Sequence, residues 1–142
     1  MNTKQFIEHF KKQVYTRIGV SKISGVGVIA IRDIPMGTQP FNESRSCQFL
    51  EIPKIKIMDD PDIAGSVKKL VIDMCPEEHG MLYIPKFTMN ELGAGFYLNH
   101  SKTPNMAAMK GGEDFIALRD IKEGEELTVD YGTYSEENLD NN

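Results

Sequence analysis

Apolar residues recur at helical spacing in two stretches of this chain and form short, strand-like runs almost everywhere else. Phe6, Ile7, Phe10 and Val14 share one stripe, with Lys4, Glu8, Lys11 and Lys12 around the remainder. That spacing predicts a short amphipathic helix over 1–14, capped by Thr3, with its stripe turned to the core. Ile63, Val67, Leu70, Val71 and Met74 repeat the spacing between Asp59-Asp60-Pro61-Asp62 and Pro76, which predicts a second helix. Strands are predicted over 15–20, 26–31 and 37–41, the last two separated by the turn Pro35-Met36-Gly37. An extended run over 49–57 contains Pro53, which suits an edge strand. Further strands are expected at 83–87, at 107–110 and 114–118 around Gly111-Gly112, and at 126–130. The expected layout is a main domain over 15–134, an insert at about 42–89 within it, and a polar tail over 135–142.

Length and charge narrow the class. A chain of 142 residues, 40% hydrophobic and 26% charged, suits one ordinary globular domain that buries most of its apolar surface unaided. No apolar run is long enough for a membrane helix. Phe6-Ile7 is followed at once by Glu8-His9 rather than by a secretory core, so an intracellular protein without a membrane partner is expected. A net charge of -5 counts against a phosphate-gripping surface and for a basic partner. Glu113, Asp114, Glu123, Glu125, Glu136 and Glu137 are candidates for that surface. Cys47 and Cys75 lack close Cys or His neighbours at zinc spacing, so no metal centre is expected. Nothing in the sequence fixes an oligomeric state.

Three stretches carry candidate chemistry. Ser24-Gly25-Val26-Gly27-Val28 places two glycines at the head of a strand. With Ile29 and Ala30 it also fits the dinucleotide pattern G-x-G-x-x-A, but there the glycines must open a helix. Val28, Ile29 and Ile31 favour strand, and Pro35 and Gly37 leave no room for a helix. A hairpin corner is the better reading, and a nicotinamide-binding fragment the weaker rival. The second stretch, Leu98-Asn99-His100-Ser101-Lys102-Thr103-Pro104-Asn105, follows the apolar run Phe96-Tyr97-Leu98 with polar residues and a proline. The third, Glu126-Leu127-Thr128-Val129-Asp130-Tyr131-Gly132, ends a strand on a tyrosine. Ahead of it, Arg119-Asp120-Ile121-Lys122-Glu123-Gly124 echoes Arg32-Asp33-Ile34-Pro35-Met36-Gly37, which predicts two similar β-turn-β units.

These phrases resemble the three signature stretches of the SET domain, in that family's order, over roughly 15–134. The resemblance implies a mostly-β (α+β) fold of small, twisted, β-clip-like sheets with a threaded C-terminal segment, to which a short N-terminal helix and a helical insert are added. It implies a protein-lysine methyltransferase that uses S-adenosylmethionine and acts on a basic peptide such as a histone tail. The rival is a module that keeps the fold and binds basic peptides or S-adenosylmethionine without turnover. By the same resemblance Tyr131 is the catalytic side chain, and the backbone at Ser24, Gly25, Val26 and Gly27 meets the methionine portion of the cofactor. The Asn99 side chain would meet its amino-acid end and the His100 backbone its adenine, so His100 is not expected to act as a general base. Ser101 and Asn105 are expected to stabilise the loop. The chemistry asks little else of the protein: methyl transfer needs an amine lone pair in line with an S–CH3 bond, and the catalyst's work is placement and exclusion of water. A lysine with a reference pKa of about 10.4 is rarely neutral in water at pH 7, and an apolar channel beside a sulfonium favours the neutral form.

The chain also departs from the family's pattern. The usual aromatic-glycine phrase after the second strand is missing, and only Phe41 stands near its place. Candidates for the substrate channel are Phe41, Tyr83, Phe96 and Tyr97, together with Ala108, Val129 and Tyr134. Val129 replaces a Phe or Tyr, and Ala108 stands where some relatives carry a tyrosine, so room for two or three methyl groups is expected. Tyr134 and Leu139 would close the site over substrate in place of cysteine-rich flanks.

Overall fold

The computed structural model describes residues 1–41, 48–109 and 114–133. Its strands form three small sheets. The largest has the order β1-β2-β9-β6, with β1 at Thr16–Val20, β2 at Val26–Ala30, β6 at Asn99–His100 and β9 at Glu126–Val129. The two inner strands read as near-continuous apolar runs because both their faces are covered: Val28, Leu127 and Val129 have no exposed surface. β6 runs parallel to β9, pairing Asn99 with Thr128 and His100 with Val129. Two motifs nearly thirty residues apart thus lie side by side.

A second sheet, order β3-β5-β4, is built by the insert: β3 at Phe49–Pro53, β4 at Glu77–Glu78 and β5 at Met81–Pro85, with α2 at Lys54–Met58 and α3 at Gly65–Met74. It has its own small core of Val71, Cys75 and Leu82. The third sheet pairs β7 (Met106–Met109) with β8 (Asp114–Ala117); the Gly111-Gly112 turn between them lies outside the described residues. The principal core joins Val28, Ala30, Ile34, Leu98, Met106, Phe115, Ala117, Ile121, Leu127 and Val129.

The two echoing segments clasp each other about a local two-fold. Ile34 and Ile121, both essentially without exposed surface, exchange backbone hydrogen bonds of 2.8 Å in each direction. Asp120 Oδ1 accepts from the Met36 amide at 2.8 Å, and Asp33 Oδ1 accepts from the Glu123 amide at 2.9 Å. Gly37 donates to Ala117 O and Gly124 to Ala30 O. Both turns close with an i to i+3 bond, Thr38 to Pro35 and Glu125 to Lys122. Their glycines sit at φ +86° and +91°, a region that penalises any Cβ.

Four expectations need correction. The N-terminal helix, α1 (Thr3–Lys12), is capped by Asn2, which exchanges bonds with Gln5 in a capping box; Thr3 is already helical. Its apolar stripe does not enter the core, because Phe6, Ile7 and Phe10 are 45–59% exposed. The helix is instead held at its end, where Arg32 donates to Lys11 O at 2.7 Å and stacks on Tyr15. No strand forms over 37–41: after the exchange between Thr38 O and the Ala117 amide, Pro40 has no N–H with which to continue a ladder. The run over 49–57 likewise stops at Pro53, and Lys54, whose amide donates to Gly80 O, begins α2. β3 is nevertheless an edge strand, as the proline predicts.

Candidate functional site

The glycine corner is made by a tight loop ahead of β2. The Ser21 amide donates to Gly25 O at 2.9 Å, and Ser21 Oγ accepts from the amides of Ile23 and Ser24 at 2.9 and 3.1 Å. Gly25, at φ +52°, supplies the left-handed residue that this reversal requires. Gly27 is needed for a different reason. A Cβ there would stand 2.6 Å from Glu126 Oε2 and 3.1 Å from Asn99 Nδ2, so only a bare backbone admits those side chains.

Asn99 reaches this corner from β6. Its Nδ2 lies 3.0 Å from Ser21 Oγ, 3.2 Å from Ser24 O, 3.0 Å from Val26 O and 2.9 Å from Glu126 Oε2. Turning the amide over would set its oxygen against four oxygens, which fixes the orientation. Two amide hydrogens cannot fully satisfy four acceptors, so the corner keeps acceptor capacity for a further N–H donor. Glu126 is itself tied by Ser21 Oγ, which donates to its carboxylate at 2.7 Å.

The final strand delivers Tyr131 to the other side of the same two residues. Its hydroxyl donates to Leu98 O at 2.5 Å, immediately before Asn99, and its amide donates to His100 Nδ1 at 3.0 Å. Nδ1 is thus the acceptor nitrogen of the ring. The two rings are tilted with centroids 5.2 Å apart. Burial, and then the charge of Glu126, push the Tyr131 phenol above its usual pKa. The phenol and the carboxamide therefore belong to one locality, spanned by the three residues 98–100.

The supporting loop is held as its residue types imply. Asn105 is buried; its side chain donates to Glu126 O at 2.9 Å and accepts from the Thr128 amide at 2.8 Å, copying a strand's bonds along β9. Ser101 Oγ accepts from the Thr103 amide at 3.0 Å. The channel candidates divide. Phe41, Tyr97 and Ala108 pack with Tyr131 against the principal core, and Val129 lies inside it. Phe41 meets Phe115 edge to face at 6.0 Å, and Phe96 meets Phe87 at 6.5 Å. Tyr83 stands apart on β5, where its hydroxyl donates to Glu78 at 3.2 Å. Tyr134 lies outside the described residues, as do Glu113, Glu136, Glu137 and Leu139. Of the acidic candidates that remain, Glu125 is occupied by Arg119 and the Lys122 amide, and these hold its carboxyl below the usual carboxylate range.

Two participants escape the motif reading, Ser21 and the side chain of Glu126. A serine four residues before a glycine, with its oxygen placed to take following amides, was the available signal for the first. For the second there was none, since a glutamate opening a strand is ordinary.

Residues 25–132 match the family model described as "SET domain". No curated protein matches the sequence. Among solved structures, the chain is similar to PFL0690c of Plasmodium falciparum, named as a candidate histone methyltransferase, with 21% identity and a TM-score of 0.51 over 84% of this chain and 95% of that one. It is also similar to a humanized mutant of the Chaetomium thermophilum Polycomb Repressive Complex 2 bound to the inhibitor GSK126, with 19% identity, a TM-score of 0.54 and 87% coverage. A mutant apo ctPRC2 aligns at 17% identity and a TM-score of 0.58 over 96% of the chain. The alignments span only 16% and 18% of those two chains, and at such identities the likeness shows the fold.

Proposed function

The chain belongs to the SET-domain family, and from that premise we propose that it is a protein-lysine N-methyltransferase that uses S-adenosylmethionine and acts on a basic peptide such as a histone tail. The observation that carries this reading is the meeting of the Gly25–Gly27 corner, the Asn99 carboxamide and the Tyr131 hydroxyl at one strand end. The corner fits a cofactor with a primary ammonium, because it has more oxygen acceptors than hydrogens. When bound, S-adenosylmethionine supplies a methyl group on a positively charged sulfur.

The residues present would do the rest by placement. Ser24, Val26 and Asn99 would hold the amino-acid end, and His100, whose ring accepts from the Tyr131 amide, would set the strand whose backbone meets the adenine. The Tyr131 hydroxyl donates to Leu98 O, and its oxygen would accept an N–H of the target amine and turn the nitrogen's own lone pair toward the methyl carbon. A phenol whose pKa is raised stays neutral at physiological pH and orients without removing a proton. Aliphatic Ala108, packed against the core, and Val129, inside it, leave no hydroxyl to hold a water there, which supports transfer of more than one methyl group.

A peptide array of basic sequences incubated with radiolabelled cofactor tests the reading. Label is expected on lysine-containing peptides, with a loss of about 100-fold in Tyr131→Phe, the cost of misplacing a reacting atom. Cofactor binding without any transfer would favour the non-catalytic module.

A further inference from the structure

Glu126 is chemically conspicuous and structurally unspent. Its carboxylate is half-buried, and its partners are Ser21 and Asn99, both neutral; among the described residues no lysine or arginine pairs with it. A carboxylate withdrawn from water is normally balanced by a cation. Here the opposite has been built: Gly27 gives up a side chain to make room for the carboxylate, and Ser21 and Asn99 clamp it in place. The charge reaches both sides of the site, for it lies against the glycine corner and also acts on the Tyr131 phenol.

We infer that Glu126 is a charge-selecting positioning residue of the cofactor site, favouring a ligand whose sulfur is positive over the neutral-sulfur product. This deepens the methyltransferase reading and rests on it. In the transfer the lysine nitrogen's lone pair forms the new N–CH3 bond and the C–S bonding pair returns to sulfur. The positive charge passes from sulfur to nitrogen, which later releases a proton to water. What remains is a thioether that keeps the adenosine and amino-acid ends but has lost one unit of charge. A fixed, unneutralised carboxylate weakens the hold on that product relative to the substrate, which favours product release.

Calorimetric binding of S-adenosylmethionine and S-adenosylhomocysteine to wild type, Glu126→Gln and Glu126→Asp tests this without turnover. Gln preserves size and an acceptor for Ser21 and Asn99, whereas Asp preserves charge. In Glu126→Gln the preference for the sulfonium ligand over the thioether is expected to fall about tenfold, as for one unit charge several ångströms away in a half-buried site. Glu126→Asp should keep most of the preference even if both affinities drop. Gly27→Ala, which displaces the carboxylate without removing it, should lower the preference as well. Equal weakening of both ligands in Glu126→Gln would overturn the inference and leave the methyltransferase reading standing. Failure of wild type to bind either ligand would overturn both.

Discussion

Tyr131 and Cys75 show how a residue's environment sets what it can do. Both hold their protons more tightly than in the unfolded chain, Tyr131 through burial and the Glu126 charge, Cys75 through burial alone, which pushes its thiol up to about 11. A group with a raised folded pKa contributes stability that is complete below its unfolded pKa and lost as pH climbs through the folded one. For Cys75 that window runs upward from its unperturbed pKa of 9.0 and costs at most about 3 kcal/mol. Urea titrations should therefore show wild type losing stability between pH 9 and about 11 faster than Cys75→Ala does. Parallel curves would mean that the thiol ionises as freely folded as unfolded. At this scale the sequence disclosed residues whose type is demanded by backbone or chemistry, such as Gly25, Gly27, Asn99 and Tyr131. It hid Ser21 and Glu126 because a serine and a glutamate are unremarkable until their partners are known.

At the scale of elements, the clasp between 32–38 and 119–125 fixes the start of β9 against β2 and so sets the register of that pair. Asp33→Ala and Asp120→Ala each remove the acceptor for one turn amide, at a cost of about 1 kcal/mol, or 2–4 °C in Tm for a chain of this size. Because both bonds brace one bridge, the double variant should lose measurably less or more than the sum. Strict additivity in a double-mutant cycle would show the two turns to be independent. The echo between the segments was visible in the sequence, but their mutual pairing was not, since repetition says nothing about which copy binds which. The amphipathic spacing of α1 was equally plain and misleading in its consequence. Periodicity defines a stripe, not what the stripe faces, and Phe6, Ile7 and Phe10 face outward. The absent strand over 37–41 has a cause legible in the sequence at Pro40, whose missing N–H outweighs the apolar content around it.

Across the whole molecule, contact between distant parts of the chain is what turns three phrases into a site. The corner before β2, the short strand β6 and the end of β9 come from the beginning, the middle and the end of the chain, and the parallel β6–β9 pair makes them neighbours. Their order along the chain was readable, and so was the family they resemble. The lining of a substrate channel was not, because Phe41, Tyr97 and Ala108 use the same side chains to pack the core that they would use to border a passage. The most direct check is a backbone amide NMR titration with S-adenosylmethionine. The account predicts that the amides of 24–28, 99–100 and 131–132 shift together along one saturation curve while those of α1 and α3 stay still. Shifts confined to one of the three stretches, or located elsewhere, would contradict it.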